Sequence, residues 1–65
     1  MTKLDKIIVD LREQQLAGKT TLSIQELSDM MLKHDVYHRW MRKQLAMSLC
    51  AKGLIKQDGP NFVIL

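Results

Sequence analysis

The sequence has a single cysteine, Cys50, so no internal disulfide can brace it. It has no cluster of cysteines and histidines to hold a structural zinc. No apolar run approaches the roughly 18 residues that cross a bilayer, and no membrane partner is expected. The opening MTKLDKIIVDL sets lysines and acids among its apolar residues. That is not the pattern of a signal peptide, and a cytoplasmic location is the expectation. Internal repeats, linkers and low-complexity tracts are also missing. So is any catalytic constellation: there is no paired-acid motif, no glycine loop to cradle phosphate, and no Ser/His/Asp order with a pocket. Neither an enzyme nor a cofactor is expected. His34 and His38 have a spacing that can bind metal on a continuous helix. Asp35 between them reads as a helix break, and no third ligand lies nearby, so no metal site is expected. Cys50 has no base beside it and reads as a partly buried thiol rather than a nucleophile.

What is present is a 65-residue chain with 46% hydrophobic residues, the composition of one globular domain over residues 1–65. A chain this short buries only about 60% of the surface its unfolded state exposes. Its stability must come from packing, with a partner subunit as a further source. Charge is unevenly spread. Residues 1–35 carry five cations and six acids, net −1, whereas residues 36–65 carry five cations against one acid, net +4. This asymmetry fits a basic face that meets an anionic partner. An ordinary solvated surface fits it too.

The first helix is expected over residues 3–17, with Leu4, Ile7, Ile8 and Leu11 as its apolar stripe. Thr2 is its N-cap, with Asp5 three residues on, and Gly18 is its left-handed C′ residue. Val9 and Leu16 sit off the stripe and meet either the terminal strand or a second subunit. Thr20, Thr21 and Leu22 favour a short strand over residues 20–22. In LSIQEL, Ser23 and Glu26 form a capping box, and Leu22 and Leu27 fit the accompanying hydrophobic staple. A second helix follows over residues 24–33, with Ile24, Leu27 and Met31 inward and Lys33 and His34 as cations suited to its C-terminus.

Asp35 reads as the cap of a third helix over residues 36–52. Tyr37, Met41, Leu45, Ser48 and Leu49 share one side of it. His38, Arg39, Arg42, Lys43 and Ala46 share the other, and Trp40 lies on the flank as a core or interface residue. Met30, Met31, Met41 and Met47 read as core filler, with an adaptable contact surface as the alternative. Gly53 ends the helix. Strands over residues 54–57 and 62–65 follow, joined by Asp58, Gly59, Pro60 and Asn61, all turn formers. Residues 20–22 supply a third strand. The fold class is therefore α+β, in the order α-β-α-α-β-β.

This order, the short turn between the second and third helices, and the ending SLCAKGLIKQDGPNFVIL together resemble the winged helix-turn-helix family. The resemblance covers nearly the whole chain. KGLI running straight into a hairpin is similar to the end of a recognition helix entering its wing in small bacterial and phage regulators. The resemblance implies that helix 36–52 enters the major groove of double-stranded DNA. His38, Arg39, Arg42 and Lys43 would then face DNA, with Gln44 at the border. It implies a phosphate near Ser23 and Gln25, and backbone or minor-groove contacts from Lys56 and Asn61 on the wing. One departure stands out: the wing tip carries Asp58, Gly59 and Pro60, with Lys56 its only cation. There is no effector domain, so no small-molecule effector is expected. Two functions fit. One is a sequence-specific transcriptional regulator of phage, plasmid or bacterial origin, acting as a homodimer. The other is a winged-helix interaction module that modulates a host protein. The basic stripe favours the first and the sparse wing favours the second.

Overall fold

In the computed structural model, which describes residues 1–65, two reciprocal caps open the first two helices. The Asp5 N–H donates to the Thr2 hydroxyl at 3.1 Å, and the Thr2 N–H donates to the Asp5 carboxylate at 3.2 Å. Helix α1 then runs Lys3–Leu16. Ser23 and Glu26 repeat the arrangement, both bonds being 3.1 Å, and open α2, Ile24–Lys33. Each cap satisfies two backbone N–H groups that the helix cannot reach.

All three helices end the same way. At α1, Gly18 has φ 98°, with Gly18 N–H donating to Gln15 and Lys19 N–H to Gln14. At α3, Arg39–Ala51, Gly53 has φ 73°, with Gly53 N–H donating to Cys50 and Leu54 N–H to Leu49. This is the double closure of a Schellman motif, which needs a left-handed residue just past the helix. At α2 that residue is Asp35, at φ 64°, whose N–H donates to Leu32 while Val36 N–H donates to Met31.

Asp35 is therefore the terminator of α2 and not the cap of the third helix. Helix α3 starts at Arg39 rather than at residue 36, and His38 is its N-cap. Residues 36–38 are consumed in reaching it, because Val36 is drawn into the core. Tyr37, expected on the inner side of the helix, precedes it and is exposed.

Strands β1 (Thr21–Ser23), β2 (Ile55–Asp58) and β3 (Asn61–Ile64) form an antiparallel sheet in the order β1-β3-β2. Each begins one residue away from the position expected from sequence. Asp58 pairs with Asn61, so the hairpin turn is Gly59-Pro60 alone. Gly59 at φ 59° supplies the positive φ that a two-residue turn requires at its first position. In β3, Phe62 and Ile64 are buried while Asn61 and Val63 face outward.

Every element gives at least one residue to the core: Ile7 and Leu11 from α1, Leu22 from β1, Leu27, Met30 and Met31 from α2, Leu49 from α3, and Ile55, Phe62 and Ile64 from the hairpin. Several expected core residues stay outside. Ile24, Trp40, Met47 and Cys50 are exposed, as are Val9 and Leu16. Ile24 opens the first turn of α2 and lines the cleft between α2 and α3 rather than the core. No helix is long and apolar enough to cross a membrane.

One charge lies in the interior. Asp10 of α1 is 7% exposed. Its carboxylate accepts from His34 Nε2 at 2.9 Å and from Gln14 Nε2 at 3.1 Å, with Lys33 Nζ at 3.5 Å. Burial alone pushes this carboxyl up, but the bonds from Gln14 and His34 and the nearby Lys33 charge outweigh it and hold it below its usual range. The cluster ties α1 to the end of α2, and a buried carboxylate keeps its charge only with such partners.

Two predictions follow from the caps and the buried acid. Ser23→Ala should destabilise the fold by about 0.5–2 kcal/mol through loss of the N-cap acceptor. A thermal melt with unchanged Tm would place the start of α2 elsewhere. Asp10 has its folded pKa lowered, so its stabilisation is present above the unfolded value, about 3.9, and is lost as pH falls through the folded value. The stability difference between the native chain and Asp10→Asn should therefore be full at pH 6 and shrink in acid. Denaturant titrations giving a gap that is constant down to low pH would contradict this.

Candidate nucleic-acid interface

Helix α3 begins without the help the other two receive. His38 makes no side-chain cap bond, and the first turn contains no acid. It contains Arg39 and Arg42 instead. Cations at this end oppose the helix dipole and are usually found at the other. The chain's ion pairs are Lys19–Glu26, Lys33–Asp10 and His34–Asp10, so Arg39, Arg42 and Lys43 have no carboxylate partner. Asp35, the acid closest to them in sequence, accepts from the Tyr37 hydroxyl at 2.7 Å. That bond, with the Asp35 charge, holds the Tyr37 phenol above its ordinary pKa. Arg42 is half-buried and donates to the Tyr37 carbonyl at 3.2 Å.

The three cations converge. They line a cleft of about 370 Å³ between α2 and α3, floored by Leu27, Met31, Ala46 and Phe62 with Ser28 on its α2 wall. A second groove, about 470 Å³, separates α3 from the β2–β3 hairpin and is lined by Lys43, Ala46, Met47, Cys50, Gln57 and Phe62. On the other flank of α3, Gln44, Ser48 and Ala51 surround Met47. Met47 thus belongs to both flanks and sits on the crest of the helix. Trp40 is seven residues earlier, about 20° away at about 100° per residue. Its ring stacks with that of His38, centroids 6.2 Å apart and planes 28° apart.

The residues singled out from sequence are thereby separated into groups. Arg39, Lys43 and Gln44 are exposed on α3, with Arg42 reaching across the cleft and His38 exposed just before the helix. Ser23 and Gln25 are already occupied. The Ser23 hydroxyl caps Glu26, and Gln25 Nε2 donates to Asp29 at 2.9 Å. An anion at the start of α2 would meet Glu26 and Asp29 there. Lys19 bonds to Glu26 and, with the Ser23 N–H, holds that carboxyl below its usual range.

Lys56 and Asn61 do not join the α3 cations. Ile55 is buried and Gln57 lines the α3 groove, so strand alternation turns Lys56 to the opposite face. Asn61 alternates with the buried Phe62 in the same way. The hairpin residue that faces α3 is Gln57, which period-two counting from Ile55 would have found. Trp40 and Met47 were likewise legible as a seven-residue repeat on the outer side of α3.

Compared with known protein families, with curated proteins and with solved structures, the chain matches none.

The unassisted start of α3 gives a direct test. His38→Ser supplies a cap acceptor and should raise stability by about 1 kcal/mol. A Tm that stays put or falls would mean these N–H groups are already satisfied.

Proposed function

We propose that the chain is a winged-helix DNA-binding protein that inserts α3 into the major groove of double-stranded DNA. In this reading β2 and β3 form the wing, and the protein is a transcriptional regulator of the small phage, plasmid or bacterial kind. The element order and the β1-β3-β2 sheet support the layout. An α-helix with its side chains is about 10–12 Å across, which suits a major groove about 12 Å wide.

The observation that carries the proposal is the set of unpaired cations at the start of α3. Arg39 and Arg42 stand where the helix dipole disfavours them, beside Lys43, with no acid to neutralise any of the three. A phosphate backbone would neutralise them and accept from the uncapped N–H groups at the same end. A single module of this size buries only about 600–1,000 Å² on DNA. Tight binding therefore calls for two half-sites and a dimer, and Val9 and Leu16 on α1 offer exposed apolar surface for one.

A second reading, a protein-interaction module acting on a host protein, is favoured by one observation. The crest of α3 is apolar at Trp40 and Met47, and the wing adds no cation on that side.

Salt separates the two. If three cations per protomer contact phosphate, log Kd against log salt should change with a slope of magnitude about 2.7. Arg39→Ala with Lys43→Ala should lower that slope by about 1.8 and leave Tm nearly unchanged, since both side chains are exposed. A salt-independent interaction with a protein, and none with duplex DNA, would favour the second reading.

A further inference from the structure

The outer face of α3 mixes an aromatic ring with cations. At about 100° per residue, Trp40, Lys43 and Met47 lie within about 60° of one another, opposite the buried Leu49. Arg39 borders this stripe beside Lys43, and Gln44 borders it beside Trp40. Trp40 is the only tryptophan of the chain, is 59% exposed and does not pack on the core. The His38 ring lies along one face of the indole, centroids 6.2 Å apart and planes 28° apart. The other face is left to solvent.

We infer that the head of α3 binds single-stranded DNA, with one unpaired base stacked on Trp40; this goes beyond the duplex reading above and shares its cations. Every base has an apolar face, and stacking on an aromatic side chain needs no particular sequence. In a duplex those faces are covered by neighbouring base pairs and only the edges are offered, so the indole face would find no partner there. On a helix surface, residues three and four apart are neighbours, so Lys43 and Gln44 both flank Trp40. Lys43 supplies a point charge for the phosphate next to the stacked base. The Gln44 amide has a donor and an acceptor side by side and can bond to the exposed edge of that base. From Trp40 the strand continues over the cleft between α2 and α3, where Arg39, Arg42 and Lys43 converge with no acid to neutralise them. A cationic groove leading to an aromatic ring is the combination that single strands require. Tyr37 is also exposed, but its hydroxyl is held by Asp35, and a phosphate there would meet that carboxylate. The base therefore lies on the Lys43 side of the indole.

The test uses the full chain and a single-stranded oligothymidylate of about ten nucleotides, within the site size of single-strand binders. Binding should quench the fluorescence of Trp40, with a salt slope of magnitude about 2.1 for three phosphate contacts on a single strand. By anisotropy of a labelled oligomer, Trp40→Ala should weaken binding about five- to 150-fold, and Trp40→Phe should recover part of the loss. Both variants should keep the salt slope and Tm of the native chain, since the side chain is exposed. An abasic oligomer of the same length keeps the phosphates and should bind as weakly to the native chain as the thymidylate does to Trp40→Ala. Unquenched fluorescence in the complex, full affinity of Trp40→Ala, or equal affinity for the abasic oligomer each overturns this inference. Tighter binding to a duplex of the same length also overturns it and leaves the duplex reading standing. Quenching by the single strand with no binding to duplex supports it and overturns the duplex reading. Failure to bind either form overturns both.

Discussion

The left-handed turn at Asp35 governs what α3 can present. It closes α2 through two backbone bonds, Asp35 N–H to Leu32 and Val36 N–H to Met31. It also sends Val36 into the core, where that side chain is fully buried. A left-handed conformation costs a non-glycine residue roughly 1–2 kcal/mol. Burying a valine returns about 1.5–3 kcal/mol, which is of the size needed to offset that cost. Lys3 of α1 reinforces it by donating to the Asp35 carbonyl at 2.9 Å. Because Val36 is anchored, α3 starts only at Arg39. From there Leu49 points into the core, and Trp40 and Met47 point away from it.

The acids and cations are segregated by use as well as by position. In the first half, Asp5, Asp10, Glu26, Asp29 and Asp35 all accept hydrogen bonds, from Thr2, His34, Lys19, Gln25 and Tyr37 respectively. These carboxylates cap helices, tie α1 to α2 and hold surface side chains. In the second half the only acid is Asp58, which alternation places on the same outer face of the hairpin as Lys56. The charge imbalance visible in the sequence thus becomes a spatial one, with the cations of α3 free of any counter-charge from their own chain.

Much of the fold was legible because its signals are local. Thr2 with Asp5, and Ser23 with Glu26, mark helix starts by spacing alone, and Gly18, Gly53 and Gly59 mark reversals that need positive φ. Asp35 misled because aspartate serves both as an N-cap and as a left-handed residue. The choice between those roles was made by the burial of Val36, a tertiary event. The pairing of Asp10 with His34 spans 24 residues and depends on how α1 crosses α2, which no local pattern encodes. For the candidate site, the side of α3 shared by Arg39, Arg42, Lys43 and Ala46 was legible from helical periodicity, and these four do line one cleft; that α2 forms the other wall of that cleft was not, because it depends on how the helices pack. Lys56 and Asn61 were picked out as hairpin residues, and strand alternation with the buried Ile55 and Phe62 puts them on the face of the sheet away from α3.

The order β1-β3-β2 leaves β2 as a free edge. A row of unpaired backbone groups is a template on which another chain can add a strand, and small domains with such an edge tend to aggregate through it. Here the edge is only four residues long, IKQD, with Lys56 and Asp58 facing outward along it. The turn beyond it contains Pro60, which has no N–H with which to continue the ladder. A second copy docking in register, whether parallel or antiparallel, would have to bring its own Lys56 and Asp58 alongside a charged, abruptly ending strand. The charged, short edge of the hairpin thereby disfavours strand addition by a second copy, a consequence of Lys56 and Asp58 that holds whatever the domain binds.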